Sequence, residues 1–222
     1  MDDGRLIILN LHGVGEHRRT LDPGEGDVWL DRAEFEAVLD VAAGRHDVKI
    51  TFDDGNLSDL DIAVPALLAR SCKATFFVTS SMLGMPGYLA TQQLREVADA
   101  GMTIGTHGSR HRSWVGLDEA GRREELVDAR RQLEQISGRK VDEAACPFGA
   151  YDRRSLAALR EAGYRTVYTT DGGPAVASDW IQARNTIRSG HSADDVRRLI
   201  EERPGALAST WRSLRLAVKR WR

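Results

Sequence analysis

The sequence predicts a single α/β domain whose parallel sheet curls into a barrel, and three observations predict it. Apolar, β-rich runs alternate with amphipathic runs of ten or more residues, the pattern of parallel strands joined by right-handed helical crossovers. Seven strand candidates occur, which points to a closed or gapped barrel more than to an open sheet. Polar residues able to do chemistry come directly after several of these runs, and strand ends are where parallel α/β folds expose them. The length, 222 residues, suits one domain with a substantial core.

In chain order, Leu6 to Leu11 reads as a buried strand ending at His12-Gly13-Val14-Gly15. Charged, glycine-rich residues 16–27 read as a loop, and Phe35, Val38, Leu39 and Ala42 at helical spacing predict a helix that Gly44 stops. Val48 to Phe52 is the next strand, and it runs into Asp53-Asp54-Gly55. An Asp-Gly hairpin turn is the alternative there. The residues beyond Gly55 oppose it: Ser58 and Asp61 fit a loose capping box, and Pro65 opens the pattern of Ala66, Leu67 and Leu68. Further strands are expected at Ala74–Thr79, Met102–Thr106, Ala144–Phe148, Thr166–Thr170 and Trp180–Ile187. Between them lie helices at Thr91–Ala100, at Leu117–Ser137 and through Leu156, Leu159 and Ala162, and Val196, Leu199 and Ile200 open a last helical region.

The bulk numbers exclude several classes. Lys and Arg total 31 against 33 Asp and Glu, a balance that does not suit nucleic-acid binding. Two cysteines, Cys72 and Cys146, are too few for a disulfide framework and fit a reducing compartment. The acidic start before a short apolar run lacks the features of a signal peptide, and no run approaches the ~20 apolar residues of a membrane span. A cytoplasmic protein is expected, working at the membrane face if the tail contacts lipid.

Three strand ends carry candidate chemistry: His12, Asp53-Asp54, and His107-Gly108-Ser109-Arg110-His111. Histidines four apart converge on one side of a helical turn. With a carboxylate from a neighbouring strand end they make a two-histidine, one-carboxylate set, which leaves coordination positions open for water and substrate. Of the adjacent aspartates, one can hold a metal while the other faces the water. A non-haem iron oxygenase uses the same ligand types but places a carboxylate two residues from a histidine, a spacing not seen here.

Thr51-Phe52-Asp53-Asp54-Gly55, then His107-x-x-x-His111, then Cys146-Pro147-Phe148-Gly149, with Ala74-Thr75-Phe76-Phe77-Val78 between, resembles the polysaccharide deacetylases of the NodB-homology type, carbohydrate esterase family 4. The likeness runs from about Leu6 to Ile200. It implies a distorted (β/α)7 barrel over residues 1–203 and a metal-dependent hydrolase removing acetyl groups from the N-acetylated sugars of a polysaccharide, oligosaccharide or lipid-linked glycan. Carried over, Asp54, His107 and His111 bind one divalent ion, zinc first, with cobalt and nickel as alternatives. Asp53 is the general base. Pro147, Phe148 and Gly149 shape the substrate site, with a backbone N–H near Phe148 for the oxyanion and the Phe148 ring for stacking on a sugar. Cys146 is expected to be a packing residue.

Two departures matter. The family's third motif carries an arginine where this chain has Ala145; a subgroup supplies it near the last strand, at the place of Arg184. Its absence from position 145 keeps a catalytically inactive glycan-binding module as the alternative. The catalytic-acid histidine, usually on the final strand, is matched here by His12, because Leu11-His12-Gly13-Val14 resembles the circularly permuted members; His191 lies in a loop-like stretch, and Asn10 stands where a leucine is usual. Beyond the barrel, residues 204–222 read as a basic amphipathic helix. Leu207, Trp211, Leu214, Val218 and Trp221 form its apolar stripe, with Arg212, Arg215, Lys219 and Arg222 beside it. It either packs on the barrel or touches an anionic membrane through residues 206–222.

Overall fold

A computed structural model of the chain describes residues 4–203 and 216–221. Strands β1 (Arg5–Leu11), β2 (Val48–Asp54), β3 (Ala74–Val78), β4 (Thr103–Thr106), β5 (Glu143–Ala145) and β6 (Thr166–Thr169) lie side by side in chain order, all parallel. Helices α1 (Arg32–Ala42), α2 (Val64–Ala69), α3 (Thr91–Asp99), α4 (Glu119–Arg122), α5 (Ala129–Ser137), α6 (Arg153–Glu161) and α7 (Ala193–Glu201) supply the crossovers and the cover. A two-residue strand β7 (Ala175–Val176) pairs antiparallel with β1. It is too short to leave a period-two signal in the sequence.

Closure comes from the segment expected as one strand. It forms β8 (Ile181–Ala183) against β6 and β9 (Asn185–Thr186) against β1, with Arg184 at the break. First and last strands are therefore neighbours, and the sheet runs nearly full circle.

Alternation along the strands sorts the residues. Ile7, Leu9 and Leu11 join Phe52 and Phe76 in the core beneath the helices, where Phe52 and Phe76 stack at 4.7 Å. Leu6, Ile8, Phe77, Ala145 and Tyr168 plug the barrel from within. By the same parity Asn10, Thr51 and Asp53 also turn inward, above that plug.

Several local expectations are corrected. Ser58 is already in helical conformation and makes no cap, because a π-helical turn (Asp59–Ala63) precedes α2; its hydroxyl instead accepts the Val14 N–H at 3.2 Å. The β5 strand stops at Ala145, since Pro147 has no N–H to donate and Pro147–Gly149 coils into a 3-10 turn. The long charged helix begins at Glu119, capped by Asp118, and passes through a π-helical stretch (Arg123–Asp128) between α4 and α5. Leu207, Trp211, Leu214, Arg212, Arg215 and Arg222 of the tail stripe lie outside the described residues; residues 216–221 are helical.

Candidate active site

Asp53 and Asp54 end β2, but the pleat ends between them. Asp53 stays in the barrel, whereas Asp54 takes a φ of 80° and leaves the strand. Four non-glycine residues have positive φ among the described residues, and three of them, Asp54, His111 and Phe148, meet at this end of the barrel. Such conformations cost about 1–3 kcal/mol each and persist only where the surroundings over-determine them.

His107 comes after β4, and its Nδ1 lies 2.8 Å from the Ala145 carbonyl oxygen. A carbonyl only accepts, so Nδ1 carries the proton and Nε2 presents a lone pair to the cleft. Burial pushes the His107 pKa down, against the pull of Asp53 and Asp54, and favours the neutral ring. His111 is brought back by a tight turn at residues 108–111. Gly108, at φ 83°, is required there: a Cβ would stand 2.3 Å from Glu125 Oε2. That Glu125 oxygen accepts the backbone N–H groups of Ser109 and Arg110 at 2.7 and 3.4 Å, while Oε1 accepts Arg112 Nε at 2.7 Å.

Asp54 Oδ1 stands 3.4 Å from His111 Nε2 and 3.8 Å from His107 Nε2. It is buried and has no hydrogen-bond partner among the described residues. Ligand atoms of Asp54, His107 and His111 all lie within 4.8 Å of one another, so the sequence-predicted set is assembled. Two imidazoles and a carboxylate with an orphaned oxygen suit a divalent cation of the zinc type.

Asp53 is held differently. Arg184, fully buried, donates from its two terminal nitrogens to Asp53 Oδ1 and Oδ2 at 2.6 and 2.8 Å. Asn10 Nδ2 adds a bond to Oδ2 at 3.1 Å, and Asn10 Oδ1 in turn accepts from Arg184 at 2.6 Å and from the Thr51 hydroxyl at 3.1 Å. Burial pushes the Asp53 carboxyl up, but the charge of Arg184, then His107, and the Arg184 hydrogen bonds outweigh it. The group is held well below the usual carboxylate range.

His12 directly follows β1 on the cleft wall, its Nε2 3.9 Å from Asp53 Oδ2. His191 sits on a turn, where Nδ1 accepts the Arg188 N–H at 3.3 Å. Phe148 is 67% exposed at the cleft mouth, its ring 4.7 Å from that of His111. Cys146 is buried and its thiol is pushed up to about 12, mainly by burial, which makes it inert. The cleft holds about 380 Å³ and is lined by His12, Asp53, Asp54, His107, His111 and Phe148, among others. The loop at residues 16–27 contributes a wall through Asp22 to Glu25, and Arg19 anchors it, pairing with Glu25, bonding Asn56 Oδ1 at 3.0 Å and lying 4.5 Å over the Tyr88 ring.

Sequence reasoning missed Glu125, and it missed the parts that Asn10 and Thr51 play in holding Asp53 and Arg184. An asparagine inside an apolar strand was a signal, because a buried amide must find partners. Glu125 falls four residues before Ala129 and eight before Leu133, on the buried stripe of its helix.

Fold and site together define a parallel (β/α) barrel with a cation-competent His-His-Asp set and a separately clamped aspartate at the carboxyl ends of its strands. Residues 40–167, more than half of the chain, match the family model for polysaccharide deacetylases, and the chain belongs to that family. The family depends in general on a metal. Among curated proteins, YxkH of Bacillus subtilis is 27% identical over 170 residues, covering 77% of this chain and 58% of that protein. SCO4760 of Streptomyces coelicolor is 32% identical over 117 residues, 52% of this chain and 45% of that protein. The chain thus spans about half the length of these relatives. Among solved structures, the Streptococcus pyogenes deacetylase PplD in complex with acetate superposes with a TM-score of 0.77 at 20% identity, over 89% of this chain and 99% of that one. BC0361, a polysaccharide deacetylase from Bacillus cereus, gives 0.78 at 20% identity, over 89% and 69%. These likenesses carry the fold.

Proposed function

We propose that the protein is a hydrolase removing acetyl groups from the N-acetylated sugars of a polysaccharide, oligosaccharide or lipid-linked glycan. One observation carries this: an ionised, clamped Asp53 faces the same cleft as the convergent ligand atoms of Asp54, His107 and His111. Those three residues hold a single divalent ion, zinc in this proposal, with cobalt and nickel as alternatives. The ion supplies Lewis acidity, lowering the pKa of water towards ~7 and polarising the acetyl carbonyl, which is what so weak a base as Asp53 needs.

Asp53 accepts the proton of the attacking water, and Arg184 with Asn10 fixes the direction in which it accepts. Proximity favours this, since the carboxylate is immobilised by three hydrogen bonds. The oxyanion leans on the backbone N–H of Phe148, in the loop of Pro147 and Gly149. His12 returns a proton to the departing amine nitrogen. The Phe148 ring, exposed at the cleft mouth, stacks on the sugar. An inactive binding module was suggested by the missing arginine at position 145. Arg184 makes the contact to Asp53 from the other side of the barrel, which removes that ground.

The test is acetate release from chitooligosaccharides with added Zn²⁺ or Co²⁺. Metal-dependent release is expected. Binding of the oligosaccharide with no release under any metal would leave the protein a binding module.

Residues 1–203 are taken as the deacetylase unit and 204–222 as an appended tail, in the cytoplasmic setting expected from the sequence. Among the described residues no helix is long and apolar enough to cross a membrane. Peripheral contact is supported by Val218 and Trp221, 56% and 77% exposed on the tail helix. Liposome flotation unchanged by deleting residues 206–222 would dispose of it.

A further inference from the structure

Lys219 turns away from the exposed face of the tail and into the barrel. Its Nζ donates to the Gly149 carbonyl at 2.7 Å and to Asp171 Oδ1 at 2.6 Å, and it lies 4.2 Å over the Tyr151 ring. Asp171 is a hub, for its Oδ2 accepts the Tyr151 and Thr169 hydroxyls, both at 2.8 Å. The loop from Cys146 to Tyr151 is thus tied on one side to the end of β6, where the Cys146 N–H donates to the Tyr168 carbonyl at 2.9 Å. On the other side it is tied to the tail. Within that loop Phe148 holds a φ of 58°. Gly149 is wedged so closely that a Cβ would stand 2.0 Å from Thr170 Oγ1.

A strained residue needs its neighbours to hold it. The Phe148 ring, mostly solvent-exposed, rests on His111. The carbonyl immediately after Phe148 is bonded to Lys219, through a charged donor whose other bond is to a nearly buried carboxylate. We propose that Lys219 is a positioning residue, through which the C-terminal tail holds the Phe148 loop in its substrate-receiving conformation. This rests on the deacetylase reading for its kinetic consequence but not for its structural one. Lys219 touches neither substrate nor reacting atoms; it acts through Gly149 and Asp171. Loss of Lys219 leaves the Gly149 carbonyl and one Asp171 oxygen without their charged donor, and Phe148 is freed to leave its left-handed conformation.

The experiment compares the full chain with Lys219→Met, Lys219→Arg and, on the exposed face of the same helix, Val218→Ala. Two readouts are taken: amide hydrogen exchange over residues 147–151, and KM and kcat for a chitooligosaccharide beside a small aryl acetate. Lys219→Met is expected to exchange faster over 147–151 and to raise KM for the oligosaccharide about tenfold, the scale of one hydrogen bond to a charged group. The aryl acetate has no sugar to stack but places its oxyanion on the same Phe148 N–H, so its KM should stay within about twofold while its kcat falls. Lys219→Arg, which keeps the charge and a donor, should restore most of both effects, and Val218→Ala should match the parent. Unchanged exchange in Lys219→Met overturns the proposal, as does an equal effect of Val218→Ala. If the parent releases no acetate at all, the deacetylase reading fails while the exchange comparison still decides on Lys219.

Discussion

Arg184 and Asp53 lie 131 residues apart in sequence, yet the guanidinium closes on the carboxylate with both terminal nitrogens inside the barrel. Arg184 is fully buried, and Asp53 is nearly so, reaching the cleft by only a small part of its surface. A bidentate pair of this kind fixes the carboxylate plane as well as its charge.

Removing the arginine strands a buried charge. Arg184→Met should destabilise the metal-free protein by about 3–5 kcal/mol in chemical denaturation, the cost of breaking a buried pair from one side. The signs of the two shifts set the pH dependence. In the parent, the folded Asp53 pKa is depressed, so its contribution is present above the unfolded value near ~3.9 and survives until the pH falls through a still lower folded value. In Arg184→Met, burial is opposed only by the weaker histidine contributions and raises the folded value. The penalty should be largest at neutral pH and shrink as the pH falls through the raised folded value of the variant, above the unfolded value near ~3.9. A penalty independent of pH would show that Asp53 is not the group Arg184 serves.

Glu125 holds the turn between His107 and His111, the proposed metal ligands, by accepting the backbone N–H groups of Ser109 and Arg110. Glu125→Gln keeps the shape but offers one oxygen where two are used, so either the Ser109 and Arg110 N–H groups or Arg112 Nε faces an amide NH₂. Affinity for Zn²⁺, measured by competition with a chelating dye, should fall about 10–100-fold, as for other supports of ligand residues. An unchanged affinity would mean that the strained His111 conformation is held by other contacts.

Sequence distance decided how much was legible. Asp53-Asp54-Gly55 and His107 to His111 are compact, and each announces itself within a few residues. Arg184 was reachable only through family resemblance, since nothing near it names a partner on β2. The Asn10 link to Arg184 spans 174 residues and closes only when β9 pairs with β1. Glu125 was hidden by its neighbour Glu124, an equally charged residue on the same helix that pairs with Arg110 and Arg112 at the surface. The capping box at Ser58 failed because helical turns begin immediately after it, so its hydroxyl was free to bond Val14.

His12 and His191 are the two candidates for the acid, and the fold separates them. His12 lines the cleft beside Asp53, whereas His191 closes a turn through the Arg188 N–H. His12→Ala should keep its metal and lose about two orders of magnitude in turnover on N-acetyl substrates. O-acetyl substrates, whose alkoxide leaves more easily, should suffer less. A silent His12→Ala beside a damaging His191→Ala would assign the acid to the other histidine.

In the proposed mechanism Asp53 and Asp54, adjacent in sequence, divide the labour between proton transfer and metal binding. That division is tested most directly by acetate release from a chitooligosaccharide by Asp53→Asn, loaded with zinc and checked for metal by elemental analysis. Asparagine fills the same space but cannot accept the proton. The variant is expected to bind one zinc per chain, as the parent does, and to lose nearly all turnover. Near-normal acetate release from that variant would contradict the assignment of Asp53 as the base.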